Sequence, residues 1–495
     1  MAEIASHLLD FPPANADRLS PEEYDKRIKT FYTSLANISP SKLAAVDGDR
    51  DLLEVIDPTT NTISYAFVLR SRIESQYTIK NKSTQVENAI VQKAILFLNN
   101  FDPLQARYLR DQLKLFAEWL CKQVKSRANL HQHAVAAVRS SILRLDPSGG
   151  TLTSSHHHFL DLCLATRSFR AALPVLDRVV YSFPANKATT TNIDGRFACS
   201  DHTDSSSFIT ESSGLTTRLD ASDVHEYYLM GAMIYIGLRQ WKDALLYLEC
   251  VLASPTSGQP TGLMVEAYQK WVLVECIVNG RVADASKIMN QATSKVVKGC
   301  SKAYDSLAQI FARQETRHLR AEISAGTSIW FEDGNSGLVQ ELVTSMPRFS
   351  VINMQKVYSA LPLSTVAEWL EQALDQTHAF IENLIVTGAL NASIELRNGP
   401  DQGAVLRFYS NRGSGPNSKS EQELTANLVE QTRRTNEMMG HVKLADRRLV
   451  LTKEYIDGLR KRMRSKEEDG PANMDGLENN PEWSAYQDED IMIDA

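Results

Sequence analysis

The chain has 495 residues, of which 43 % are hydrophobic and 23 % charged, with a formal net charge of −7. This is ordinary globular composition, enough for two to four domains, and by itself it names no function. The six cysteines include no close pair, which excludes a zinc ribbon or a disulfide framework and favours reduced thiols. Apolar runs stay far below the roughly 20 residues of a membrane span, and residues 1–10 lack the basic start of a secretory signal, so we expect a soluble protein without a membrane partner.

Residues 1–83 form an N-terminal region in which we find no repeat. Two stretches after it, residues 84–98 and 104–124, have the apolar spacing of amphipathic helices. We therefore predict that a helical solenoid begins near residue 84 and continues to about residue 345.

The middle of the chain contains a weak repeat of the kind found in helix-pair proteins. Residues 163–176, 237–248 and 279–285 share a pattern in which an apolar or aromatic residue precedes an alanine by three: Ala172, Ala244 or Ala285. The small side chain lets a second helix pack closely on the first. The intervals of 72 and 41 residues fit a repeat near 34 only with insertions, which we place in the Ser-, Thr- and Asp-rich residues 184–222 and in residues 255–260.

One segment has part of the zinc motif of JAMM-type isopeptidases. His131, His133 and Ser141 have the required spacing, but Arg144 occupies the position of the last ligand, and a cation cannot bind zinc. The segment also has a helical pattern where the motif needs a strand and a loop. We interpret it as a structural helix, and we predict that the chain is not an enzyme and has no catalytic residue, metal site or cofactor.

Residues 346–410 predict a winged-helix module. Three helical segments are followed by Gly388, which can end the third in a left-handed cap, and then by two stretches of alternating polarity around a turn at residues 398–403. In the helix predicted at 365–376, Trp369 lies on the apolar stripe and is assigned to the module's core.

Winged helices often bind DNA, and the charge of the predicted groove helix argues against that function here. Residues 365–376 contain Glu368, Glu371 and Asp375 and no lysine or arginine. Phosphate binding requires cations. A nucleic-acid-binding winged helix remains the alternative from another functional class.

Residues 411–464 contain a long C-terminal helix with a heptad pattern, and residues 465–495 form an acidic tail. At 1.5 Å per residue the helix is roughly 60 Å long, which leaves its apolar stripe in need of a partner. A helix bundle with other chains, a homodimeric coiled coil and a helix folded onto its own repeats are the open possibilities. The tail has a net charge of −9 and predicts disorder. The positions of the heptad stripe are Leu424, Leu428, Gln431, Thr435, Met438, Val442, Ala445, Leu449, Thr452, Ile456, Leu459 and Met463.

The predicted fold class is mainly α: a TPR- or HEAT-like helical-repeat solenoid, then a winged helix, then a long C-terminal helix. This order resembles the PCI-domain family, the scaffolds of the proteasome lid, the COP-nine signalosome and translation initiation factor three. Residues 163–176, 228–248 and 263–273 are similar to the subunit 3 group of the signalosome in fungi. Residues 184–222 and the acidic tail depart from the family pattern and inherit no role.

The resemblance implies a non-catalytic scaffold in the cytoplasm and nucleus, in a complex that removes the ubiquitin-like modifier Nedd8 from cullins and so regulates cullin-RING ubiquitin ligases. Its partners would be other signalosome subunits, with the isopeptidase in a different subunit. A subunit of the proteasome lid or of initiation factor three would share the architecture and remains an alternative. The implied contacts are, in the winged-helix sheet, Leu390, Ile394, Leu396, Leu406 and Phe408, and in a bundle of terminal helices, Leu428, Met438, Val442, Leu449, Ile456 and Leu459.

Overall fold

The computed structural model describes residues 2–13, 16–44, 51–78, 88–125, 127–184, 197–202, 205–255, 259–396, 403–409, 415–416 and 420–450. The chain is mainly α-helical, with one small sheet among the described residues. It divides into two units, Met1–Ala426 and Asn427–Ala495, which are described separately.

Short and long helices alternate in the first third of the chain. Their starts carry expected signals: Pro21 and Pro103 occupy the first turns of α2 and α7, and Asp102 Oδ2 accepts a hydrogen bond from Gln105 N at 3.2 Å. The helices are α1 (Ala2–Leu8), α2 (Pro21–Ala36), α3 (Pro40–Ala44), α4 (Leu52–Val55), α5 (Thr62–Thr78), α6 (Asn88–Asn100), α7 (Pro103–Ala106), α8 (Gln112–Val124) and α9 (His131–Leu145).

The predicted repeats lie in the next group of helices. These are α10 (Ser154–Ala165), α11 (Phe169–Leu176), α12 (Ala221–Gly237), α13 (Trp241–Leu252), α14 (Gly262–Asn279), α15 (Gln291–Cys300), α16 (Lys302–Arg313), α17 (Thr316–Ala325), α18 (Thr327–Glu332) and α19 (Ser336–Met354).

The first two predicted repeat copies share the same turn. Arg167 follows α10 with φ 56°, and Arg239 follows α12 with φ 58°. In each turn an amide reaches back five residues, Ser168 N to Cys163 O and Gln240 N to Tyr235 O, both at 2.9 Å. This is the Schellman hydrogen bond that ends a helix in the left-handed conformation.

The alanines of these two copies lie where the repeat pattern predicts. Ala172 in α11 and Ala244 in α13 are fully buried. The third copy differs, because Ala285 begins a 3-10 turn, Ala285–Lys287, and not a second α-helix. The pattern therefore identified the helix pairs α10–α11 and α12–α13 but not a third pair.

Two glycines let α12 lie close to its neighbours. A Cβ atom on Gly231 would be 2.6 Å from the ring of Tyr247 and 3.2 Å from Leu176, and one on Gly237 would be 2.7 Å from the ring of Phe169. Tyr247 also donates its hydroxyl to Leu176 O at 2.6 Å. The glycines thus provide the space in which α11, α12 and α13 meet.

A single hydrophobic cluster extends from Leu8 to Phe349. It contains Leu35 and Tyr65, so the core does not separate the predicted N-terminal region, residues 1–83, from the predicted repeats. The apolar spacing in the sequence did not predict this continuous core. Short helices such as α3, α4 and α7 have too few turns to show an apolar stripe.

The predicted insertion at 184–222 also contributes to this core through its described part. Phe208 and Ile209 are buried next to a 3-10 turn at Ser205–Ser207. The guanidinium of Arg107 lies 4.1 Å from the centre of the Phe208 ring, and its Nη1 donates to Ala198 O at 2.8 Å. The composition of this segment is typical of a loop, yet Phe208, Ile209 and Leu215 are buried.

A second, smaller cluster forms the winged-helix module. Helix α19 joins the two clusters, since Phe349 belongs to the first and Val351 to the second. The module continues with β1 (Ala360–Pro362), α20 (Leu363–Trp369), α21 (Leu374–Val386), β2 (Ala392–Leu396) and β3 (Ala404–Phe408), and the sheet is antiparallel in the order β1-β3-β2.

The two predicted strands and the cap at Gly388, which has φ 72°, are confirmed. Strand β1 was not predicted, because only helical segments were expected before Gly388. In the structure α19 ends at Met354, and Leu361 pairs with Leu406. Three residues carry no readable alternation, so only pairing with β3 reveals this strand.

Helix α22 (Glu421–Val450) is the described part of the predicted C-terminal helix. Ion pairs three and four residues apart line its surface: Arg433 to Glu430 at 2.8 Å, Arg434 to Glu430 at 2.9 Å, and Arg433 to Glu437. Such pairs favour the helical conformation of an exposed helix.

Candidate assembly surfaces

The two outer strands of the sheet present different edges. In antiparallel pairs, residues alternate between hydrogen bonding to the partner strand and pointing their backbone groups the other way. Tyr409 N donates to Asn391 O at 3.0 Å, so by alternation Ser393 and Glu395 bond to β3. The backbone groups of Ala392, Ile394 and Leu396 therefore point away from β3, and no strand among the described residues covers them.

The opposite edge is shorter and carries a proline. Phe408 N donates to Ser359 O at 2.9 Å, so Leu361 bonds to β3 while Ala360 and Pro362 face outward. Pro362 has no N–H to offer to another strand. The edge at β2 can accept an additional strand over its whole length, and the edge at β1 cannot.

The predicted contact residues of the sheet fall into two groups. Leu390, Leu406 and Phe408 are buried in the module's own core, so their side chains support the sheet from within. Ile394 is half-buried and packs in part against the same core, and Leu396 is the last residue of β2. What the module leaves open to a partner is thus the β2 backbone edge together with Ile394.

The predicted contact residues of the terminal helix lie on an exposed surface wherever they are described. Leu428, Met438 and Val442 are exposed, as are Leu424, Val429 and Met439. Leu449 lies in α22, and Ile456 and Leu459 lie outside the described residues.

Trp369 was predicted to lie in the module's core, and this prediction is wrong. Trp369 is 48 % exposed and contacts Tyr358, which is 41 % exposed, with ring centres 5.7 Å apart. The predicted helix over residues 365–376 is broken, because α20 ends at Trp369 and Glu371 adopts φ 54° before α21 begins at Leu374. The pattern placed Trp369 on a continuous apolar stripe, whereas the buried residues of α20 are Leu363, Val366 and Ala367.

The residues of the incomplete isopeptidase motif have structural roles. They lie on or beside α9, as the helical pattern predicts. The Ser141 hydroxyl donates to Val138 O at 2.9 Å, and Arg144 Nη2 donates to Phe101 O at 2.8 Å. Among the described residues no group of three or more His, Cys, Asp or Glu side chains is placed to hold a metal ion.

The first of three consecutive histidines, His156, has a structural role at the start of a helix. His156 is buried, and its Nδ1 accepts a hydrogen bond from Thr153 N at 3.2 Å in a capping box at the start of α10. Burial lowers the pKa of His156 to about 4. A neutral imidazole therefore fills a capping role usually taken by Glu or Gln.

The three buried cysteines are not activated thiols. Cys121, Cys163 and Cys276 lie in the core, where burial raises the pKa of each to about 12. A thiol with so high a pKa carries almost no thiolate at neutral pH and is a poor nucleophile. Cys250 and Cys300 are exposed.

The helical repeats match a known family. The family model described as COP9 signalosome complex subunit 3, N-terminal helical repeats, matches residues 27–297, more than half of the chain. The chain belongs to this family. The match begins 57 residues before the predicted start of the solenoid at residue 84, in line with the continuous core that includes Leu35 and Tyr65.

Two curated relatives extend the similarity of this family member beyond the repeats. COP9 signalosome complex subunit 3 of Emericella nidulans is 29 % identical over 422 residues, which cover 82 % of this chain and 83 % of the relative. The protein of the same description from Neurospora crassa is 25 % identical over 468 residues, with 92 % and 91 % covered. Across the described part of the chain, every helix is too short or too polar to span a bilayer.

Proposed function

We propose that this chain is a non-catalytic scaffold subunit of the COP9 signalosome, in the cytoplasm and nucleus. There it supports the removal of Nedd8 from cullins and so regulates cullin-RING ubiquitin ligases. The observation that carries the proposal is the family match over residues 27–297. Two relatives that share more than four fifths of their length with this chain are named as the same subunit.

The open edge at β2 supports a scaffold function in which neighbouring subunits associate through their winged helices. An exposed strand edge is a template for pairing with another chain. The outward backbone groups of Ala392, Ile394 and Leu396 are evenly spaced for that purpose. In this proposal Leu390, Leu406 and Phe408 hold the edge in place from the core, and Ile394 contacts the partner.

The exposed apolar residues of α22 support a second contact. A helix that exposes Leu428, Met438 and Val442 along one heptad stripe gains stability when other helices cover that stripe. We assign these residues to a bundle with the terminal helices of other subunits. Ile456 and Leu459 continue the same heptad spacing in the sequence.

The non-catalytic assignment is supported by the chemistry of the incomplete metal motif. Arg144, at the position of the third ligand, is cationic and donates to a backbone carbonyl. Replacing His131 and His133 by alanine is expected to leave cullin deneddylation by the assembled complex unchanged. If the assembled complex loses that activity, His131 and His133 do not have a purely structural role.

Purification of the tagged full chain under native conditions, followed by mass spectrometry, tests the proposal. We expect the other signalosome subunits in stoichiometric amounts. Recovery of proteasome-lid or initiation-factor subunits in their place would overturn it.

A chain that ends at Ser410 is the matched comparison. It retains both hydrophobic clusters and lacks α22. We expect it to fold, as judged by circular dichroism, and to lose most of its incorporation. If the truncated chain enters the complex as fully as the intact chain does, α22 is not part of the proposed bundle.

A further inference from the structure

An exposed aromatic patch lies beside β1, on the side of the sheet away from β2. We define the aromatic patch as Val357, Tyr358 and Trp369. Val357 is 75 % exposed, and the rings of Tyr358 and Trp369 meet at an interplanar angle of 47°. Two aromatic rings that are this exposed on a small module of about 60 residues mark an interaction surface.

The same pair of residue types occurs twice in the helical repeats, and there both pairs are buried. Tyr268 contacts Trp271 at 5.8 Å, and Tyr304 contacts Trp330 at 4.8 Å. The hydroxyl of Tyr268 donates to Asp305 at 2.9 Å, and the indole of Trp330 donates to Ile323 O at 3.1 Å.

In the aromatic patch the polar atoms of the rings have no such role. Within the described part of the chain, neither the indole N–H of Trp369 nor the hydroxyl of Tyr358 makes a hydrogen bond. Their exposed positions leave both free to contact another molecule. The patch therefore has the composition of a protein-contact hot spot and lacks an internal structural task.

The charges around the patch are mostly negative. Glu368, Glu371 and Asp375 are all exposed and lie at the end of α20 and the start of α21. Two cations are close. Lys356 donates to Asn353 at 2.7 Å, and Arg317, 94 % exposed, lies 4.0 Å from Glu371. An exposed pair at 4.0 Å is weak and exchanges easily for a better partner.

We propose that the aromatic patch binds a segment of another protein that presents an arginine or lysine beside an apolar side chain. The cation would lie against the ring faces of Tyr358 and Trp369 while Glu368 and Glu371 neutralise it, and the apolar side chain would cover Val357. Cations bind to the faces of indole and phenol rings, and nearby carboxylates strengthen the contact.

The contact is made by side chains because the neighbouring strand cannot provide a backbone edge. Pro362 blunts β1, so a partner at this side gains little from strand addition. The aromatic patch is thus a second docking surface of the module, different in chemistry from the β2 edge. It extends the proposed function, and its test does not depend on which complex contains the chain.

Site-specific photocrosslinking in cells tests this inference. The full chain carries benzoylphenylalanine in place of Val357, and the crosslinked peptide is identified by mass spectrometry. We expect a peptide from a different protein with a net positive charge and an arginine or lysine next to an apolar residue. An acidic peptide, a peptide from a second copy of this chain, a nucleic-acid adduct or no adduct would each overturn the proposal.

A probe at Val386 is the matched control. Val386 is as exposed as Val357 and lies at the far end of α21. We expect no crosslink to the same peptide from that position, and an equal yield would show that the contact is not specific to the aromatic patch. Native purification of the same cells reports separately on signalosome membership, so failure of one result is distinguishable from failure of the other.

Substitutions in the patch sharpen the test. With the probe at Val357, Trp369→Ala is expected to lower the adduct yield at least tenfold, and Trp369→Phe to restore part of it. Glu371→Gln, which alters only an exposed side chain, should lower the yield severalfold and weaken its dependence on salt. Unchanged yields in Trp369→Ala and Glu371→Gln would contradict a cation held between the rings and the carboxylates.

Discussion

The helical repeats and the winged-helix module treat the same side chains in opposite ways. In the repeats, Trp271 and Trp330 are buried with tyrosines and hydrogen-bonded. In the module, Trp369 and Tyr358 are exposed. In the repeats the indole N–H of each of these tryptophans has a partner within the fold, whereas among the described residues the module leaves the rings of its pair and a strand edge uncovered. We therefore expect the repeats to serve as a support and the module to be where partners bind.

The difference predicts the largest effect for Trp271→Ala. The side chain is fully buried, its ring contacts Tyr268, and its indole donates to Glu249 at 3.4 Å. Loss of a buried tryptophan leaves a cavity, and we expect a cost of about 3–5 kcal/mol in the free energy of unfolding. Urea denaturation of the full chain measures it. Trp369→Ala is the control, expected to cost under about 1 kcal/mol; equal costs would erase the contrast between the two regions.

The next effect comes from pH, through His156 in α10. Burial lowers its pKa to about 4, from a usual value near 6.5. Between these pH values the unfolded chain binds a proton that the folded chain does not, so stability falls as the pH drops through this window. The loss attributable to this residue is about 3 kcal/mol in total.

Replacement by glutamine separates this titration from all others. In His156→Gln a neutral side chain can still take the capping-box role with Thr153. We expect a shallower loss of stability between pH 6.5 and pH 4 than in the unchanged chain, measured by urea denaturation across that range. Parallel curves would show that His156 is not the residue responsible.

A smaller cost is expected at the close approach of α12. In Gly231→Ala the new methyl group would lie 2.6 Å from the Tyr247 ring, which is itself held by its hydrogen bond to Leu176 O. Overpacking of this kind costs about 1–3 kcal/mol. Thermal unfolding measures the change in stability, with Gly299→Ala in α15 as the control. No atom lies within 4 Å of a methyl group added at Gly299, so this substitution is expected to stabilise the chain by up to about 1 kcal/mol. A stabilised Gly231→Ala chain would refute the close approach.

The smallest effect on folding, with the clearest effect on assembly, is expected in the module. Ile394→Pro removes an N–H that points away from β3, so the sheet's own hydrogen bonds remain. We expect a change of about 1 kcal/mol in stability and a loss of contact with the neighbouring subunit in native purification. Ile394→Ala removes the same side chain and keeps the N–H. If both variants assemble equally well, β2 does not accept a strand.

Much of the local structure was predictable from short-range signals. The turn at Arg167 and the turn at Arg239 follow matching sequence patterns, and Gly388 was recognised as a helix cap. The alternation in residues 390–396 gave β2, and the heptad spacing gave the helix that contains α22. In each case the signal and the structure it specifies lie within about ten residues of each other.

The predictions that failed concern features which depend on distant residues. Strand β1 exists only through its pairing with β3. Which face of α20 is buried depends on what packs against it, and that face contains Val366 and Ala367 but not Trp369. His156 is buried because α12 packs over it and places Tyr227 against its ring at 6.1 Å. None of these contacts leaves a periodic trace in the sequence.

The sequence by itself determined most of the helices, the strands β2 and β3, and what family the repeat pattern resembles, because hydrogen bonds and capping within a segment depend on neighbours along the chain. Only the tertiary structure decided which apolar residues are used up in the core and which stay exposed. Leu406 and Trp369 are both large apolar side chains on a predicted stripe, yet one is fully buried and the other half-exposed. Burial depends on what lies across the fold, and that information is spread over residues far apart in the chain.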